Sequence, residues 1–211
     1  MTTVGTIIDD GMVEDAVIAT LQAWISFYLA EVEEQRGLAR GAYDRPRSYM
    51  VRNDLTKWPE ESLPAIVVIS PGLSDRAVKE GRGLYRVPWQ IGIAAVVSAK
   101  DHASTRRMAY RYAAAIRALL VQHQSLDGAL GGVVRGVTWL DGRNNEMPAH
   151  DDRTVFASRQ IFTVEVAEAL QQNVGPLGVP PVDPLAPLDA DPVVPDIDHI
   201  QVTKTKEPIN G

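Results

Sequence analysis

The sequence predicts an α+β fold: a single domain of order α-β-β-α-β-β, with a four-stranded, mainly antiparallel sheet packed by helices, followed by an extended proline-rich arm. Three observations predict it. Two segments repeat their apolar residues at spacings of three and four, the period of one helix face. Four β-branched segments form two pairs, one on each side of the second helix. Eight of the 14 prolines lie in the last 40 residues, which divides the chain into a body, 1–171, and an arm, 172–211. The βαβαβ alternation of a doubly wound nucleotide fold is missing.

The first helix is read from Val13, Val17, Ile18, Leu21, Trp24, Ile25, Tyr28, Leu29 and Val32, one apolar stripe over five turns. Asp9 and Asp10 can cap it, and Gly37 and Gly41 mark its stop. Glu14, Gln22, Glu33 and Glu34 are assigned to the opposite, acidic face. Residues 37–63 read as irregular, locally basic linker with Arg40, Arg45, Arg47 and Arg52. "LPAIVVIS" (Leu63–Ser70) reads as a short buried strand, and "PGLSDRAVKEGRG" as a long polar loop.

The cleanest strand is "YRVPWQIGIAAVVSA". Val87, Trp89, Ile91, Ile93, Ala95 and Val97 alternate onto one face. Pro88 has no N–H to give a ladder, so its end of the strand is expected at an edge or beyond the paired region. Asp101 opens the second helix, with Ser104 and Thr105 as competing caps. Met108, Tyr112, Ala115, Ile116 and Leu119 form its inner stripe. Arg106, Arg107, Arg111 and Arg117 give it a basic outer surface. "LDGALGG" ends that helix, and "VVRGVTWLDG" is a strand closed by an Asp141-Gly142 turn. Residues 143–153 read as a polar loop. "VFASRQIFTVEV" is the last strand, with Phe156, Phe162, Val164 and Val166 on one face.

Composition excludes several classes. The hydrophobic fraction is 45% and the charged fraction 23%, ordinary for a globular protein. No apolar run reaches 18 residues and no secretory leader is read at the N-terminus, so no membrane association is expected. There is no cysteine, which removes disulfides, thiolate metal sites and cysteine nucleophiles. Net charge is −6. The arm supplies six acids (Asp183, Asp189, Asp191, Asp196, Asp198, Glu207) against Lys204 and Lys206, leaving the body near −2. A near-neutral body argues against a dedicated DNA-binding domain.

A search for chemistry finds none, and no catalytic, cofactor or metal site is assigned. His102, His123, His150 and His199 show no helical pairing with a second metal-type ligand. "HDD" (His150–Asp152) is the only local cluster, and a solvated loop accounts for it. The glycines of "GRG" and "GALGG" lack phosphate-loop spacing, and no GxSxG elbow is present. Glu31, Glu33 and Glu34 are read at the exposed end of a helix, with nothing to raise a pKa.

Residues 12–170 resemble the tail terminator proteins of long-tailed bacteriophages. The likeness is carried by the order of the amphipathic helix, "LPAIVVIS", the long loop, "YRVPWQIGIAAVVSA", the Ala-rich helix around "RMAYRYAAAIRALL", "GVVRGVTWL" and "RQIFTVEVAEAL". The resemblance implies a hexameric ring at the head-proximal end of the tail tube of the virion, assembled in the host cytoplasm. Its implied partners are other copies, the tail tube protein and the head–tail connector or stopper. DNA would pass through its lumen without sequence-specific binding. Catalysis and cofactors are not implied. The acidic face with Glu14, Glu33 and Glu34, and the basic face with Arg106, Arg107, Arg111 and Arg117, are candidates to meet between copies.

The arm completes this reading. Proline density excludes a helix over most of it. Leu177, Val179, Val182, Leu185, Leu188, Val193, Val194 and Ile197 are too many apolar residues for a free linker, and Ile200 and Val202 continue the series with strand-like alternation. Burying five such side chains is worth about 1.5 kcal/mol each before ordering entropy is subtracted. These residues are therefore expected to lie on a sister subunit or an adjoining ring. Three other readings share the sequence: another neck or connector protein, a small α+β enzyme centred on His150–Arg153, and an adaptor docking through the PxxP spacing of Pro181 and Pro184.

Overall fold

The computed structural model describes residues 8–51, 60–81, 83–99, 101–150 and 153–169, with 60, 145–150 and 153 described as backbone only. The chain divides into two units, Met1–Gln172 and Asn173–Gly211. The second unit, with the apolar residues assigned to the arm, lies outside the described residues, as do Asp151 and Asp152.

The fold is α+β. Helix α1 spans Asp10–Gln35 and starts where the Asp9 carboxylate accepts the Met12 N–H at 2.8 Å. It stops in a paired hydrogen-bond motif: Gly37 N–H to Glu34 O and Leu38 N–H to Glu33 O, at 2.9 Å each. Gly37 takes φ 67°, a left-handed value that glycine adopts without steric cost. Helix α2 spans His102–Gln122, and its first turn is held by Asp101, whose carboxylate accepts the Ser104 N–H at 2.9 Å. Thr105 does not cap. Its hydroxyl donates back to Asp101 O and accepts the Ala99 N–H, tying α2 to the preceding strand.

The sheet has six strands rather than four: β1 (Ser48–Val51), β2 (Ala65–Leu73), β3 (Val78–Gly81), β4 (Leu84–Ser98), β5 (Val134–His150) and β6 (Arg153–Ala169). Their order is β1-β2-β4-β6-β5, with β3 pairing β4 beyond the end of β2. The four long strands are antiparallel to one another, as expected. The sheet is mixed because β1 joins β2 in parallel from within the segment read as linker. Arg47 N–H reaches Pro64 O and Ser48 Oγ reaches Ser62 O, both at 2.8 Å, fixing where β1 begins. β3 likewise lies inside the segment read as a loop. Four exposed residues carry no apolar alternation to reveal a strand.

Two further expectations are corrected. Pro88 lies within a central strand, opposite Glu165 of β6. In an antiparallel strand a residue's N and O point to the same side. Pro88 O accepts the Ser74 N–H at 2.9 Å just past Leu73, the last residue of β2, so its missing donor faces the place where that ladder ends. Asp141-Gly142 is not a turn. β5 runs through it and through Arg143–His150, because a bulge at Leu140 absorbs the local irregularity and the ladder to β6 resumes at Asp141↔Ile161.

Both helices cover one face of the sheet. The core joins Val17, Leu21, Ile25 and Leu29 of α1 and Tyr112, Ile116 and Leu119 of α2 to the alternating residues of β4 and β6. Ile91, Ile93, Phe162 and Val166 among them are fully buried. Register explains the agreement, since Ile91 pairs Phe162 and Val97 pairs Phe156 along an unbroken β4–β6 ladder. A smaller buried cluster, including Ala65, Val67, Ala94 and Val96, lies on the other face.

Candidate functional site

The acidic outer face expected on α1 does not form. Glu33 sits four residues after Leu29, on the inward stripe, and its side chain is 0% exposed. It accepts a bidentate pair from Arg45 at 2.8 and 3.0 Å, and the N–H groups of Gly41 at 2.8 Å and Tyr43 at 2.9 Å. Burial pushes its carboxyl up, but the Arg45 hydrogen bonds, the Gly41 N–H and the Arg45 charge bring it below the ordinary value. Glu14 is also buried and accepts the Ser70 N–H of β2. Burial dominates there and raises its pKa, with Asp10 and Asp15 adding to the effect. Of the three, only Glu34 faces solvent, in a loose pair with Arg40 at 3.4 Å.

The arginines of α2 separate. Arg106 and Arg107 are exposed, and Arg106 donates through Nε to Tyr110 one turn on. Arg111 lies 4.7 Å from the ring centre of Tyr43, packed onto the linker that Glu33 holds. Arg117 lies 4.9 Å over the ring of Trp139 from β5. The fold therefore spreads these residues over different neighbourhoods and brings none of the three acids against them.

What the structure does assemble is a groove between α1, α2 and β5, of about 690 Å³, lined by residues including Phe27, Tyr28, Glu31, Val121, Arg117 and Trp139. Each side chain is placed by its element. Trp139 pairs Phe162 in register and so faces the helices. Its Nε1 donates to Gln160 at 3.2 Å. The Gln160 amide crosses the backbone at Gly142, where a Cβ would stand only 2.9 Å from it. Tyr28 donates to Gln122 at 2.6 Å, bridging α1 and α2 at the floor. A second hollow of about 320 Å³, lined by residues including Tyr110, Asn144 and Gln160, shares Arg117 and Trp139 with the first, so their stack is the wall between the two. Phe27 is 55% exposed, Val121 43%, Trp139 40% and Leu140 51%. Aromatic and aliphatic surface flanking one guanidinium suits a peptide chain better than a small polar substrate.

Beside the groove, Trp24 Nε1 and His123 Nδ1 meet the two oxygens of Asp127 at 2.6 and 2.7 Å, with the Trp24 and His123 rings 4.8 Å apart. The His123 hydrogen bond is the main cause of the lowered Asp127 pKa. Asp127 reaches them because Leu126, Asp127, Gly128, Leu130 and Gly131 all take positive φ in the turn after α2. The trio fastens that turn to α1. Among the described residues, no group of three or more His, Cys, Asp or Glu could hold a metal, and no helix is long and apolar enough to cross a membrane.

Sequence reasoning missed this groove. The stripe reading holds for Tyr28 and Val32 but not for Trp24, which is 40% exposed, and Trp139 is assigned only to a strand. The available signal was the apolar excess of α1: with Phe27 it carries more apolar residues than one face can bury.

No protein-family model and no curated protein matches the chain. Among solved structures, 27 chains match. One is a chain of the "Virion of native gene transfer agent (GTA) particle", 16% identical, covering 77% of this chain and 99% of its own, with a TM-score of 0.44.

Proposed function

We propose that this protein is a non-catalytic structural component of a virion, a tail terminator whose copies close into a ring, halt growth of the tail tube and offer a platform to the head connector. The observation that carries the reading is the exposed apolar surface of Phe27, Val121 and Trp139 where α1, α2 and β5 meet, suited to a partner rather than to water. The order of elements, which resembles the tail terminators, supplies the kind of partner. The ring reading uses Arg106 and Arg107 as its free basic surface. With Glu14 and Glu33 engaged internally, Glu34 and the loops remain as acidic counterparts.

The test is negative-stain imaging with mass measurement of the purified protein, alone and with candidate tube subunits. Closed rings of six copies are expected, and tubes that stop growing once capped. Changing Arg106 and Arg107 to Glu is expected to weaken the ring most at low salt, where screening is least. A protein that stays monomeric at every concentration and leaves tube growth unchanged overturns the reading.

A further inference from the structure

We propose that the groove between α1, α2 and β5 is the receptor for residues 177–188 of a neighbouring copy of this chain, so that successive subunits are strapped together by their own C-terminal segments. The inference rests on the ring reading and gives it a specific contact. The groove presents the exposed rings of Phe27 and Trp139 beside the buried Tyr28, with the Arg117 guanidinium against Trp139 and the Glu31 carboxylate also in its lining. Flat aromatic walls with polar edges are what proline-rich segments bind: the proline ring stacks on the aromatic face, and the stiff chain loses little freedom on docking.

The chain itself carries the complementary segment. Forty-two residues follow Ala169, the last residue of β6. Within them, "LGVPPVDPLAPL" (Leu177–Leu188) combines four prolines, five aliphatic residues and one charge, Asp183. Asp183 is the matching charge for Arg117 and fixes the register. Pro180 and Pro181 on one side of it, and Pro184 and Leu185 on the other, then fall on the aromatic residues. The 13 residues from Leu170 to Val182 span on the order of 40 Å at about 3.1 Å per residue, the scale of a neighbouring domain. Held at the high local concentration of a ring, a modest contact of this kind is sufficient.

The absence of native cysteine makes a clean test. Full-length chains carrying Val121→Cys alone and Leu185→Cys alone are mixed under mild oxidation, with an Asp75→Cys chain replacing the first as a control for random collision. The expected result is a disulfide between the two different chains in at least fivefold excess over the control. A Trp139→Ala or Arg117→Glu change in the first chain should cut that yield at least fivefold. Equal yields with the control overturn the proposal. So does a disulfide that forms only within one chain carrying both cysteines, which would place the segment on its own body. The mass of the unoxidised assemblies is measured in parallel. Rings without the cross-link defeat this inference and leave the ring reading standing, whereas a cross-linked dimer without rings supports the strap and defeats the ring. Should a groove variant fail to fold, a labelled peptide of residues 174–192 titrated into the full-length Leu185→Asp chain, whose own segment no longer competes for the groove, decides the matter. Saturable binding supports the proposal, and none at millimolar concentration overturns it.

Discussion

Glu33 is the residue on which the most local structure depends. One carboxylate fastens Arg45 and the N–H groups of Gly41 and Tyr43, and so shapes the chain between α1 and β1. Glu33→Ala would strand two backbone donors and a half-buried guanidinium. A loss of about 3 kcal/mol is expected in denaturant unfolding, with Glu33→Gln losing less. The pH dependence follows from the sign of the shift. The folded carboxyl lies below the ordinary value of 4.5, so its stabilisation is complete above that value and lost as pH falls through the lower folded one. The gap between wild type and Glu33→Gln should therefore narrow below about pH 4. A gap that stays constant from pH 7 to 3 would show that charge at Glu33 contributes nothing. The sequence placed Glu33 outside by its charge, although its four-residue spacing from Leu29 placed it inside. Spacing was the better guide, because a carboxylate with enough partners tolerates burial.

At the scale of elements, alternation and helical period were legible wherever an element is covered by a layer. Val87–Val97 in β4 and Phe156–Val166 in β6 declare their faces because the helices lie on one of them. The edge was illegible. β5 pairs on one side only, and from Arg143 onward its residues read as a loop because polar side chains at an edge cost nothing. β3, exposed at all four residues, was missed for the same reason, and β1 because four residues are too few to show a period. Leu140 illustrates the difference. Trp139 pairs Phe162 and Asp141 pairs Ile161, so Leu140 is the extra residue of the bulge. Deleting it should straighten β5 and leave every later side chain on its present face, at a cost of about 1 kcal/mol or less. Deleting Thr163 from β6, whose ladder to β4 has no bulge to absorb the loss, should turn buried residues such as Phe162 or Val164 outward and cost several times more. Comparable melting temperatures for the two deletions would mean that a bulge offers no slack that an unbroken ladder lacks. The groove was illegible for a different cause: it exists only where three elements distant in sequence meet.

For the whole molecule, the ladder between β4 and β6 has a mechanical consequence. Every residue of the 15-residue β4 pairs with β6, from Leu84↔Ala169 to Ser98↔Val155, without a register shift. The β5–β6 ladder shifts at three places. A pull along β4 and β6 in opposite senses loads all those rungs together, and none can fail before its neighbours. A pull that separates the strands from one end breaks them singly. The body should therefore be stiff along its strands and tearable across them. Optical-trap handles on Leu84→Cys and Thr154→Cys apply the first load, and handles on Ser98→Cys and Thr154→Cys the second. The first pair should unfold at a several-fold higher force, and equal forces would mean that the ladder does not carry the load. A subunit with this anisotropy resists tension only along its strand axis, so the direction of its strands within an assembly decides whether the joint holds or rips.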